Sequence, residues 1–170
     1  MRSIALAGSV LALTGLGVAP ALATTPATAP APTEKERGFV LECTGEAGGL
    51  SAYVDVYEND RYQNYFQVVL NDNPRLAASR EPKDLVDKGQ VKGTIRIKGH
   101  KVRVTGSVKK VGKQIAVHEE LDDAGYHVVS DGYHRKLRND LVLTYRGTTV
   151  DLHCAPAFYY NLEVTKTPVE

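Results

Sequence analysis

The sequence predicts an all-β domain: an antiparallel meander of about ten short strands, closed as an up-and-down barrel or, alternatively, packed as a two-sheet sandwich. Apolar and polar residues alternate with a period of two in several stretches. Turn residues recur roughly every eight to twelve positions, and no stretch carries a convincing helical period. A sheet of that extent curls or closes, which removes the edges that would otherwise aggregate.

Met1 to Ala23 reads as a secretory leader, with Arg2, an apolar run from Ile4 to Val18 and an Ala21-Leu22-Ala23 cleavage pattern. The run is short and rich in small residues for a spanning helix. No cysteine follows the cleavage site to carry a lipid anchor, so the expected destination is the medium or the cell envelope. Thr24 to Glu36 is rich in Thr, Ala and Pro, too poor in apolar surface to order itself, and reads as a disordered spacer. Residues 37–170 have the size of a single β domain. Lys and Arg number 21 against 20 Asp and Glu. Losing Arg2 with the leader balances them, so no global affinity for polyanions follows.

Cys43 and Cys154 are the only cysteines, and in an exported chain the default is a disulfide between them. Cys43 alternates with Phe39 and Leu41, and Cys154 with Val150 and Leu152, so both sulfurs point inward and the bridge joins the first strand to a late one. Phe39 to Thr44 is that first strand. Leu50 to Glu58 and Gln63 to Leu70 form a hairpin across Asn59-Asp60-Arg61-Tyr62, with both faces mixed in character. Asn71 to Gln90 is a long irregular segment carrying Pro74 and Pro82, with at most one helical turn from Asp84 to Lys88. Loops of this length are usually functional, which makes it the expected lid or contact loop.

Val91 to Val129 is the most regular stretch. A two-residue turn at Gly99-His100 sets Ile97 opposite Val102, Ile95 opposite Val104 and Val91 opposite Val108, with the β-branched side chains on one face. A second turn at Val111-Gly112 sets Ile115 against Val108, Glu120 beside Arg103 and Asp122 beside Lys101. A third, at Asp123-Ala124, leads into Tyr126 to Val129 and puts His127 across from Glu120. Gly132 marks a bulge, Arg138-Asn139-Asp140 a turn, and Arg146-Gly147 another that sets Leu143 against Val150 and Leu141 against Leu152. Pro156 breaks the pattern before a final strand from Ala157 to Val164.

Candidate sites follow from these registers. Lys92, Arg96, Lys98, Lys101, Arg103, Lys109, Lys110 and Lys113 fall in one stretch without an acid, and the register places Arg96 across from Arg103. Such a face suits an anionic polymer, but Glu120 and Asp122 on the next strand are expected to neutralise it. His118, Glu120 and His127 share an outward face and suffice chemically for zinc, although their spacing matches no metal signature. No metal or other cofactor is implied on that basis. Glu119 falls in phase with Val117 and Leu121, and inside a barrel it would be a polar anchor for a ligand. Tyr53, Tyr57 and Tyr65 stand out among nine tyrosines in a chain without tryptophan, an amphipathic surface of the kind found at binding faces.

No G-x-S-x-G, H-E-x-x-H, phosphate-loop or C-x-x-C motif is present. The first reading is therefore a secreted binding module that presents the long loop and the tyrosine-rich hairpin to a protein or small ligand, as an inhibitor for example. The alternatives are an extracellular hydrolase built on His118, His127, Glu119 and Asp131, or an envelope component that binds anionic polymers.

At Glu42-Cys43-Thr44-Gly45, Tyr57-Glu58-Asn59-Asp60-Arg61, Asp122-Asp123-Ala124-Gly125 and His153-Cys154-Ala155-Pro156-Ala157-Phe158 the chain resembles a group of small exported proteins of actinomycete bacteria that has no assigned activity. The likeness spans most of the mature domain and implies an extracellular setting and no catalytic residue. A fainter likeness to barrel-shaped secreted inhibitors of lysozyme rests on the early cysteine and transfers no mechanism.

Overall fold

The computed structural model describes residues 32–169. The leader Met1 to Ala23 and most of the spacer lie outside them. The spacer's last residues, Thr33 to Glu36, are ordered as strand. Nine strands make one antiparallel sheet: β1 (Thr33–Ala47), β2 (Leu50–Asn59), β3 (Tyr65–Leu70), β4 (Ala77–Arg80), β5 (Val86–Asp87), β6 (Gln90–Ile97), β7 (His100–Asp123), β8 (Tyr126–Tyr145) and β9 (Thr148–Pro168). Their order is β4-β3-β2-β1-β9-β8-β7-β6-β5. The first and last strands thus pair at the centre, and Cys43 is bonded to Cys154 directly across that pairing. Among the described residues no helix is long and apolar enough to cross a membrane.

The sheet is curled but not closed. β4 lies against β6 without pairing to it, and Phe66 of β3 reaches across the interior to Gly93 of β6, where an added methyl group would sit 2.5 Å from Phe66 Cζ. Inside the curl, alternate residues pack without exposure: Leu41, Val54, Val56, Phe66, Val68, Val91, Val104, Leu143 and Val150. The β2–β3 hairpin resolves cleanly, with Ala52, Val54, Val56, Phe66 and Val68 inward and Tyr53, Tyr57 and Tyr65 outward.

The segment from Asn71 to Gln90 is not irregular throughout. It supplies a 3-10 turn (Pro74–Leu76) and both edge strands. Leu85 and Val86 are buried in the core, and the Glu58 carboxylate accepts hydrogen bonds from both of their amides at 2.7 Å. One side chain therefore clamps the end of the curl.

Several turns differ from expectation. The β6–β7 turn is Lys98-Gly99, both with positive φ as a type I′ turn requires, so Ile95 faces Val102 and Arg96 faces Lys101 rather than Arg103. That shift of two residues preserves the inward face. No hairpin forms at Val111-Gly112. Gly112, at φ 69°, sits instead in a bulge between Lys110 and Gln114, and β7 runs on as one strand. The β7–β8 turn is Ala124-Gly125, which pairs Asp122 with His127 and Glu120 with Val129. β8 passes straight through Gly132 and Asn139. The irregularity expected there falls on β9 between Cys154 and Ala157, around Pro156. Leu143 does meet Val150, and Leu141 meets Leu152.

Because β7, β8, β9 and the start of β1 outrun the curl, they continue as a four-stranded extension, covered near β9 by Tyr57 and Tyr62, where Tyr160 and Val164 are buried, and open along β7. Ile115 is 54 % exposed there, and Leu121 49 %. The periodicity placed both on an apolar face correctly, but that face lies outside the core. Replacing Gly93 with valine is expected to destabilise the domain by about 1–3 kcal/mol, the usual cost of overpacking, and Phe66→Leu in the same chain should recover part of it. Urea denaturation of the three proteins checks this.

Candidate functional site

Alternation fixes the outer face of β6 and β7. With Val91, Ile95, Val102 and Val104 buried, Lys92, Thr94 and Arg96 project outward beside Thr105, Arg103 and Lys101. The Lys98-Gly99 turn adds Lys98. The β8–β9 turn brings Arg146 alongside, its guanidinium in contact with His100 Nε2 and 5.5 Å from the Tyr145 ring centre. Arg96 donates to the Gly99 carbonyl at 2.8 Å. None of the ion pairs of the described residues includes Lys92, Arg96, Lys98, Lys101, Arg103 or Arg146.

The neutralisation expected from Glu120 and Asp122 is absent. The long β7 carries both acids to the far end of the extension, where they face Val129 and His127. Beside Arg103 and Thr105 the outward neighbours on β8 are Thr144 and Val142; the carboxylates of this face stand at its margins, Asp140 across from Ser107, Asp87 across from Gln90 and Asp151 on β9. Arg96 directly opposite Lys101 is a like-charge pair, which is unfavourable in isolation.

A second group of cations gathers where the curl meets the extension. Lys110 Nζ lies 3.0 Å from the Tyr159 ring centre and 5.8 Å from that of Phe39, on the rim of a recess of about 640 Å³ that Arg37, Asn59, Asn64 and Lys83 also line. Desolvation, reinforced by the charges of Arg135 and Arg37, pushes the Lys110 ammonium below its ordinary value. Arg37 is paired with Asp60 at 2.9 Å. Desolvation, the largest influence on Asp60, pushes its carboxyl up, but the hydrogen bonds from the Arg37 amide and guanidinium together hold it below the usual range.

At the tip of the extension, His118, Glu120 and His127 do come together, joined by two further acids. His118 Nδ1 contacts Asp131 at 2.7 Å and its Nε2 contacts Glu120 at 3.2 Å; His127 Nδ1 contacts Asp122 at 2.8 Å, and its Nε2 is 3.8 Å from Glu120. This is a chain of alternating imidazoles and carboxylates along an exposed surface. Among the described residues no three such groups are arranged to hold a metal. Glu119 lies on the opposite, open face of the hairpin across from Ser130, so it is exposed and anchors no cavity.

The tyrosines form two arrangements. Tyr57 pairs with Tyr65 across the hairpin and stacks on Tyr160, centres 6.3 Å apart. Burial, with help from Tyr57, raises the Tyr160 phenol far above its usual value. Tyr53, with Gln67 and Val69, lines an open groove of about 760 Å³ against Asp72, Pro74 and Ala77. The loop and the hairpin therefore do share one concavity. Reading the sequence missed Arg146, whose only signal was its place in a turn, and the convergence of Arg37, Lys110 and Arg135, which depends on strands far apart in the chain.

Hydrogen bonding to Asp131 is the main cause that raises the His118 pKa above its ordinary 6.5, with Glu120 adding to it. The stability this contributes is therefore present below about pH 6.5 and fades as pH rises through the raised value. In Asp131→Asn the His118 pKa is expected to fall, which proton NMR titration of its imidazole reads.

No family model matches the chain, and no curated protein matches it in sequence. Its fold is weakly similar, at a TM-score of 0.34 and 9 % identity, to a crystal structure from Nitrosomonas europaea provisionally named AttH. The alignment covers 80 % of this chain and 52 % of that one, so the chain spans about half the length of that protein.

Proposed function

We propose that the protein is an exported binding module whose ligand is an anionic polymer, taken up on the outer face of β6 and β7. The observation that carries this reading is the shared exposed face of Lys92, Arg96, Lys98, Lys101 and Arg103, extended by Arg146, with no carboxylate paired to any of them. The whole sequence is nearly neutral, with a formal charge of +1. The cations are therefore gathered locally rather than spread.

The face lies on a paired ladder above buried valines and isoleucines, which fixes the spacing of the backbone positions that carry the charges. A flat array of lysines and arginines recognises a regular string of anions by charge and spacing, and releases counterions as it does so. The disulfide is compatible with the oxidising exterior where envelope and extracellular polyanions occur.

Inorganic polyphosphate is a suitable probe because it offers charge without bases or sugars. Affinity is expected to fall steeply with added salt, and Arg96→Glu with Lys101→Glu should weaken binding at least about tenfold and flatten the salt dependence by roughly one unit per cation removed. Fluorescence anisotropy over a salt series measures both; unchanged binding in the double variant would reject the assignment.

A second reading has its own support. The groove between Tyr53 and Pro74 fits a peptide or a small ligand, as an inhibitor's contact surface would. Deleting the loop would not test it, because Leu85 and Val86 belong to the core. Tyr53→Ser is expected to abolish capture of such a partner while leaving polyphosphate binding intact, as read by pull-down and anisotropy on the same sample.

A further inference from the structure

From Gln114 to Asp123 β7 has β8 on one side and, among the described residues, no strand on the other, since β6 pairs only with residues His100 to Ser107. The opposite margin of the extension, the start of β1, is guarded. Arg37 exchanges backbone and side-chain hydrogen bonds with Asp60, and Glu34 is held by Arg61 and the Tyr62 hydroxyl. The β7 margin has no such cover among the described residues, and an exposed edge of this length is a template for another strand.

We propose that this edge pairs with the same edge of a second copy of the chain, antiparallel and two-fold, with Ala116 opposite Ala116. The argument is complementarity. Along β7 the bases Lys109, Lys110 and Lys113 precede the acids Glu119, Glu120, Asp122 and Asp123. Turned end for end about Ala116, the strand meets itself with Lys113 against Glu119, Ile115 against Val117 and Gln114 against His118. Residues 111–113 stand against the single β8 residue Lys136, so beyond this bulge the register moves on by two and Lys110 and Lys109 lie along Glu120 and Leu121. No like charges face one another.

Neighbouring registers lose this match. Centred on Val117, the pairing puts Ile115 against Glu119; centred on Ile115, it puts Val117 against Lys113. Backbone phase agrees as well. Asp123 and Tyr126 flank the two-residue Ala124-Gly125 turn, and in such a hairpin the flanking pair is the hydrogen-bonded kind. Alternation then aims the backbone groups of residues 114, 116, 118, 120 and 122 away from β8, so a two-fold on Ala116 joins outward groups to outward groups. The contact uses both copies of one edge and stops at two.

The test is sedimentation of the purified full chain. A dimer is expected, and Ala116→Pro should abolish it while the monomer keeps the wild-type circular dichroism spectrum, because the Ala116 amide points away from β8. Lys113→Glu and Glu119→Lys should each raise the dimer dissociation constant about tenfold or more. Mixing those two single variants should restore the dimer, since each then supplies the charge the other lacks. A wild-type monomer at about 100 µM, or a dimer that survives the charge reversals and Ala116→Pro, overturns the proposal.

Discussion

The pairing of β1 with β9 is the constraint from which the rest of the molecule is laid out. It joins residues 111 apart in sequence and is locked by Cys43–Cys154. Chain entropy assigns a loop of that length up to about 4–5 kcal/mol of stabilisation, the upper end of what disulfides deliver. With the two ends of the domain fixed side by side, β2, β3 and β4 spread to one side and β8, β7, β6 and β5 to the other. The two wings then curl towards each other until Phe66 rests on Gly93 and Glu58 grips the amides of Leu85 and Val86. The edges meet through side chains and stop short of a ladder, so the expected barrel is an open, curled sheet.

What could be read in the sequence was the side-chain phase. The inward sets around Val91, Ile95, Val102, Val104, Leu141, Leu143, Val150 and Leu152, and the two cysteines, follow from alternation alone, which survives any register error of two residues. Strand length could not be read. Val111-Gly112 and Asn139-Asp140 have the composition of turns, yet both lie within long strands because partners distant in sequence continue the ladder past them. Gly112 spends its left-handed backbone on a bulge, a use that composition does not distinguish from a hairpin.

That single difference in length also governs what was legible of the candidate site. The basic residues were evident, but their neutralisation by Glu120 and Asp122 depended on a hairpin at Val111-Gly112. With β7 extended, those acids join His118, His127 and Asp131 elsewhere, and the basic face is left without them. The same extension exposes Ile115 and Leu121 and carries Glu119 out of the interior. Residues assigned to one barrel lining thus divide between a packed core and an open ribbon.

Lys101 and Asp122 are separated along β7 by a contour on the order of 70 Å at the usual rise per residue, and each sits within a cluster of its own sign. A nearly neutral molecule therefore carries a large electric dipole directed along its longest strand. Above a negatively charged surface such a body experiences a torque before it experiences contact. The orientation such a torque favours turns the Lys101 end toward the negative charge.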